Sequence, residues 1–290
     1  MEDKEKQLSD EINSLLSNDP SDIALKISEL EKVNTKKILN EYGKFVKQFE
    51  DFFDLLITLF DQVNYINKDA WPEQKTIQFI TIAHNLQTLY CAFDLAVRGH
   101  HAEAIILIRT VYETFIKVVY LSCYAKAGYS VFYKKKDGTK EFNLTNFLSQ
   151  DLKLNRDNIY MVMSVIAHSK GYLIMKEAQE IATEGQKGKI GLRIKYDKKN
   201  LEMAINYLYF LLWMFIKITI ELFVQNKINK ASKELLEKAK KVEKAIEKIF
   251  IGHPGGAWKT IDQDVSHIFK IIKLAEEGDD WEMAIKNNSI

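Results

Sequence analysis

The sequence predicts an all-α fold, a multi-helix antiparallel bundle with long flanking helices and room for one small β-hairpin insertion. Three observations carry this. With 12 Gly and 3 Pro in 290 residues, the chain has too little turn punctuation for the many short strands of an all-β fold. The long stretches between those residues repeat apolar side chains every three or four positions rather than every second one. A 47% hydrophobic content, with 41 Lys+Arg against 40 Asp+Glu, describes a chain that buries a sizeable core and is not disordered.

Taken in order, residues 1–17 read as a short amphipathic helix that ends at Asn18-Asp19-Pro20. Ser21 or Asp22 caps a long second helix running to about Asn67. Its apolar residues Ile38, Tyr42, Phe45, Phe49, Phe52, Leu56, Leu59 and Val63 step alternately by four and three, a heptad seam. Four aromatics in that seam favour one long edge of a bundle, and intermolecular coiling is the second reading. After Trp71-Pro72 a helix is expected over 73–97 and another over 102–126. The short Arg98-Gly99-His100-His101 break between them implies an antiparallel helical hairpin. Asp137-Gly138 within Val131–Asn143 reads as a tight turn of a small β-hairpin. Helical pieces over about 144–152 and 157–182 precede a basic loop, GQKGKIGLRIKYD. A core helix is expected over 198–224. Ser232, Leu235, Ala239, Val242, Ile246 and Ile249 then mark a narrow apolar stripe on a Lys/Glu-rich helix over 227–250, which lies on the bundle exterior or pairs with a second copy. A last helix over 258–276 and a frayed acidic tail complete the chain. Three units follow: long N-terminal helices over 1–72, a core bundle over 73–225, and a Lys/Glu-rich C-terminal part over 226–290.

A net charge of +1 argues against a chain whose main task is coating nucleic acid, although local basic patches remain. Two cysteines, Cys91 and Cys123, in apolar helical stretches exclude a disulfide framework. The charged first residues hold no apolar signal core, so a cytoplasmic location is expected. Ile205–Ile216, 12 residues before Lys217 interrupts them, fall short of the roughly 20 needed to span a bilayer. This segment reads as a core helix rather than a stable membrane insertion, with an interfacial or partner-binding surface as the other reading.

Two polar clusters on apolar helices are candidate sites. Arg109 and Glu113 share one helix face among Ile105, Ile108, Val111 and Phe115. A hairpin pivoting near 99–100 sets position 109 opposite about 90 and position 113 opposite about 86, bringing the stripe of His84, Gln87, Cys91 and Asp94 into reach. His101 lies at the turn. The bland reading of Arg109 and Glu113 is a solvated ion pair worth less than about 1 kcal/mol. Ser164 and His168, again four apart, would form a hydrogen-bonded pair or supply a general acid or base, against the simpler reading of a packed histidine near a helix end. Lys135 and Lys136, with Lys189 and Arg193, are candidate phosphate-backbone contacts, against the simpler reading of solvated loops. His100-His101 with Glu103 lacks any metal-site spacing, and no phosphate-binding loop occurs, so neither metal nor cofactor is expected.

The pairing of HAEAIILIRTVYET with Tyr160-x3-Ser164-x3-His168 resembles a bacterial all-helical family of unknown function. There an Arg-x3-Glu helix follows a short hairpin turn and a Ser-x3-His helix comes later. The matching positions are Arg109, Glu113, Ser164 and His168, and the likeness covers about residues 75–225. That family is distantly similar to HEPN-type bundles, many of which act as RNases or as nucleic-acid-associated components of toxin–antitoxin and anti-phage systems. The chain departs from the HEPN signature, an Arg followed by four to six residues and a His on one helix: no such spacing surrounds Arg109 or Arg156, and Arg98-Gly99-His100 is too close. The resemblance implies a helical effector or interaction protein of a defence or toxin-type system, with RNA as a candidate target. As a metal-independent ribonuclease it would need Arg109, Glu113 and His168 assembled from separate helices. The alternative is a non-enzymatic scaffold or immunity partner working through residues 38–63 and 232–249, and a homo-oligomer is expected.

Overall fold

The structure is a computed structural model of the chain and describes residues 23–64, 71–124, 131–132, 142–154, 197–224, 233–251 and 257–286. Among these residues it is all-α, with no strand. The helices are α1 (Ile23–Asn64), α2 (Glu73–Arg98), α3 (His101–Cys123), the one-turn α4 (Leu144–Asn146), α5 (Lys198–Thr219), α6 (Lys233–Ile251), α7 (Ala257–Glu277) and α8 (Trp281–Lys286). Two π-turns, Phe147–Asp151 and Ile220–Val224, extend α4 and α5. The helix expected over 1–17, the turn of the β-hairpin and the 157–182 helix lie outside the described residues.

The bundle is organised around the α2–α3 hairpin. Gly99 ends α2 in the left-handed region at φ 94°, and the His100 amide returns to the Leu95 carbonyl at 2.9 Å, which satisfies carbonyls that a helix end leaves open. α3 begins two residues later, so the helices lie antiparallel and make the most extensive contact of any pair. Gly99 also sits where a Cβ would come within 2.6 Å of Asn34 Nδ2, pressing the turn against α1.

Side-chain amides of α2 reach main-chain carbonyls of α3. Gln74 donates to Leu121 at 2.6 Å, and Gln78 to Val118 at 3.3 Å and to Ser122 Oγ at 2.8 Å. Asn85 donates to Val111 at 3.3 Å. Gln78 and Asn85 are buried, so these bonds offset the desolvation of groups that would otherwise oppose burial.

The α1 seam packs inward. Phe49 stacks on Phe93 of α2 at 4.3 Å and meets Tyr209 of α5 edge-on at 5.7 Å, while Tyr209 Oη donates to the Phe45 carbonyl at 2.6 Å. Tyr42 Oη donates to Glu202 at 2.7 Å. Tyr42, Phe49 and Phe52 therefore meet this chain's own α2 and α5, while Phe45 on the same seam is 38% exposed.

α5 is the centre of the bundle, capped by Asp197 and buried without interruption from Tyr207 to Ile216. Lys198–Phe223 is long and apolar enough to cross a membrane, and 78% of its most apolar window is buried within the fold. α6 lays Leu235, Ala239 and Ile246 on this core, and Lys217 Nζ pairs with Glu243 at 3.2 Å. α7 buries Val265, Ile268, Ile271 and Ile272, packing on α3. In place of the frayed tail expected from sequence, Gly278 stops α7 at φ 81° and Asp280 accepts from the Met283 amide at 2.9 Å to open α8. One apolar cluster runs from Ile38 on α1 to Ile285 on α8, so the N- and C-terminal helices share the core of 73–225.

Candidate functional site

Arg109 and Glu113 pair as the i, i+4 spacing predicts: Arg109 Nε donates to Glu113 Oε1 at 2.7 Å, with the side chains 16% and 33% exposed. A planar guanidinium is suited to carboxylate or phosphate recognition, and here its Nε is taken by Glu113. One turn on, the Lys117 ammonium lies 5.1 Å over the Phe132 ring. This face of α3 carries two cations and one carboxylate.

The polar support expected from α2 does not join it. His84 and Gln87 are exposed, and Asp94 accepts from Arg98 Nε at 3.0 Å. α2 is rotated so that Gln74, Gln78 and Asn85 face α3, because Leu86, Leu89 and Phe93 take the neighbouring core positions. His101 is buried at the start of α3, where desolvation lowers its pKa to about 4, opposed by the nearby Asp197 and Glu103 carboxylates. It is neutral at physiological pH. Ser164, His168, Lys135, Lys136, Lys189 and Arg193 lie outside the described residues.

Two charged centres have no sequence signal. At the α2–α3 turn, His100 Nε2 and Glu31 Oε1 are 2.7 Å apart, and Arg98 Nη1 lies 3.6 Å from the other oxygen of the same carboxylate. Glu31 comes from α1, 69 residues away, so nothing local announces it. Here two carboxylates already share one guanidinium, leaving the cluster without the positive excess an anionic substrate needs, and its physical role is to fasten the turn to α1. The second centre joins Lys75 of α2 to Glu276 of α7, with side chains 9% and 11% exposed. Lys75 Nζ also donates to the Leu222 carbonyl at 3.4 Å, inside the π-turn that follows α5, and lies over the Phe223 ring. Burial lowers the Lys75 pKa, and Glu276 opposes that shift.

Cys91 is exposed, and burial pushes the Cys123 thiol up, away from thiolate chemistry. Among the described residues no three His, Cys, Asp or Glu side chains gather to hold a metal ion.

The outer face of α1 and α2 holds a cleft of about 590 Å³, in which Leu39, Phe53 and Tyr90 stand beside Lys47, Asp51 and Asp54. Leu39 and Tyr90 are 45% and 46% exposed, and Ile80 on α2 is 43% exposed. The cleft combines open apolar surface with fixed charge, and among the described residues its lining holds no imidazole or thiol.

Comparison of the chain with protein-family models, with curated proteins and with solved structures finds no match.

Proposed function

We propose that this chain is a cytoplasmic interaction protein of a bacterial defence or toxin-type system, working through the outer surface of its bundle rather than through an enclosed catalytic pocket. The observation that carries this reading is the α1–α2 cleft, where Leu39 and Tyr90 stand half open beside ionised side chains. Scattered exposed apolar residues are ordinary, but a pair of them at one cleft, set beside Lys47, Asp51 and Asp54, gives the mixed chemistry that a partner-binding surface requires. The polar groups at the α2–α3 turn and between α2 and α7 support the same reading, since each is occupied in fastening one helix to another. The resemblance to the helical family supplies the defence or toxin context.

A second reading, an effector acting on RNA, is favoured by the Arg109–Glu113 pair. In it Arg109 holds a phosphate, Glu113 orients Arg109, and His168 exchanges protons with help from Ser164. One experiment separates the two. Cells produce the wild type, Arg109→Ala or His168→Ala at matched soluble levels, and total-RNA integrity is followed, while a photo-crosslinking residue at position 90 reports contacts of the cleft, with the exposed position 279 as the control. Intact RNA in all three, with a discrete adduct from position 90 alone, is the expected result. RNA fragmentation that disappears with either substitution overturns it in favour of the effector.

A further inference from the structure

The solvent side of α1 carries a second periodic pattern opposite the buried seam. Lys36, Asn40, Lys44, Lys47, Asp51, Asp54, Thr58 and Asp61 recur every three or four residues and are all exposed. At 100° per residue they fall within one stripe, an arc of about 100°. Its charge is divided, with every lysine before position 49 and every aspartate after it. The division is also symmetric in spacing: Lys47 and Asp51 are equidistant from position 49, as are Lys44 and Asp54, and Asn40 and Thr58, while Lys36 and Asp61 match within one residue. Among the described residues none of the six charged side chains belongs to an ion pair.

We infer that this stripe is the pairing surface for a second copy of the chain, docked antiparallel about a two-fold axis near position 49. Lys36, Lys44 and Lys47 of each copy then face Asp61, Asp54 and Asp51 of the other, and the polar pair Asn40 and Thr58 meets itself in reverse. A parallel arrangement sets lysine against lysine and aspartate against aspartate, so the charge order selects orientation as well as partner. An isologous contact of this kind closes after two copies. Gly43 borders the stripe, and the space its missing Cβ would fill is open to 4 Å, which lets a second helix approach closely. Leu39 and Tyr90 flank the stripe on the cleft side and are covered by the incoming helix.

The extent of the surface sets the strength. From Lys36 to Asp61 the stripe is about 38 Å long. At a width of about 10 Å it buries about 800 Å² over both copies, below the size of a standard stable interface. Exposed ion pairs add little each and weaken with salt. The dimer is therefore weak and salt-sensitive. This inference rests on the interaction reading and names the partner on the α1 side.

Sedimentation velocity of the full chain tests it, at concentrations up to about 100 μM and at about 50 and about 500 mM salt. The expected result is a mass rising from 33.7 kDa toward twice that value at low salt and falling back at high salt. Two charge-reversed variants sharpen the test: Lys36→Glu/Lys44→Glu/Lys47→Glu makes the stripe uniformly acidic, and Asp51→Lys/Asp54→Lys/Asp61→Lys makes it uniformly basic. All six positions are exposed, and far-UV circular dichroism verifies that both variants fold. Each is expected to stay monomeric alone and to form a one-to-one dimer when the two are mixed. A wild type that remains at 33.7 kDa at low salt overturns the inference, as do variants that self-associate like the wild type. A monomeric mass together with a position-90 adduct to a different protein removes the second copy while leaving the interaction reading in place.

Discussion

Replacing Lys75 by Met removes a cation that is 9% exposed and leaves Glu276, 11% exposed, without the ammonium it faces. Breaking one side of a buried ion pair costs about 3–5 kcal/mol, because the surviving charge keeps its desolvation penalty and loses the attraction that offset it. Removing both charges has a different outcome: Lys75→Met/Glu276→Leu fills the site with apolar atoms and returns stability to within about 1 kcal/mol of the wild type, or above it. Denaturant unfolding of the wild type, both single variants and the double variant measures this, provided the m-values agree. A Lys75→Met cost below about 1 kcal/mol, or a double variant as unstable as the two single losses added together, would refute the reasoning. The pH dependence gives a second check. Burial, the largest influence on Lys75, lowers its folded-state pKa beneath the usual 10.5. Between that lowered value and 10.5 the unfolded chain holds more protons, so the contribution of Lys75 to stability rises with pH across that window. The wild-type advantage over Lys75→Met is expected to grow from neutral pH toward 10.5.

Three further outcomes follow from the fold. Gly99→Ala forces a side chain into the left-handed region and against Asn34, at an expected cost of about 2 kcal/mol, part of which Asn34→Ala in the same chain recovers; equilibrium unfolding of the single and double variants measures both. Phe49→Ala removes the ring between Phe93 and Tyr209 and is expected to cost about 3–5 kcal/mol in urea unfolding, and a loss under about 1 kcal/mol would show that the site collapses around the gap. His101 titrates at about 4 when folded against 6.5 ordinarily, so the unfolded chain binds the proton first and this group's stabilisation is lost as pH falls through that interval. Between about pH 7.5 and about pH 5 the loss is about 2 kcal/mol, and His101→Gln is expected to flatten that slope whatever its stability at neutral pH.

The long helices of the bundle were legible because each carries its own signal, whereas the short α8 was expected as a frayed tail. Alternating steps of four and three located the buried side of α1, Arg98-Gly99-His100-His101 located the hairpin turn, and the apolar run of Ile205–Ile216 located the central helix. Even the height at which α2 meets α3 was readable, since a pivot near 99–100 sets the mid-80s beside the low 110s, where Asn85 meets Val111. The rotation of α2 was not readable. His84, Gln87 and Asp94 look like a polar stripe aimed at Arg109, yet they face outward while Gln78 and Asn85 are buried. Polar residues on both sides of α2 leave its azimuth undetermined until the packing of α1 and α5 is known. Pairs that join distant segments, such as Lys75 with Glu276, 201 residues apart, carry no local pattern at all. Of the candidate site, the Arg109–Glu113 pair was legible from its spacing alone, and Ser164 and His168 lie outside the described residues.

The amides of α2 bond largely to main-chain oxygens of α3 rather than to its side chains. Every residue type supplies the same oxygen, so, apart from the Ser122 hydroxyl that Gln78 also meets, the information that aligns the two helices is written on α2. The α3 side chains at Val111, Val118 and Leu121 are thereby free to drift among apolar types of similar volume without loss of alignment, whereas Gln74, Gln78 and Asn85 are not interchangeable with residues that lack an N–H to offer. A library randomised separately on the two helices should accordingly retain folded members far more often from α3 at these positions than from α2.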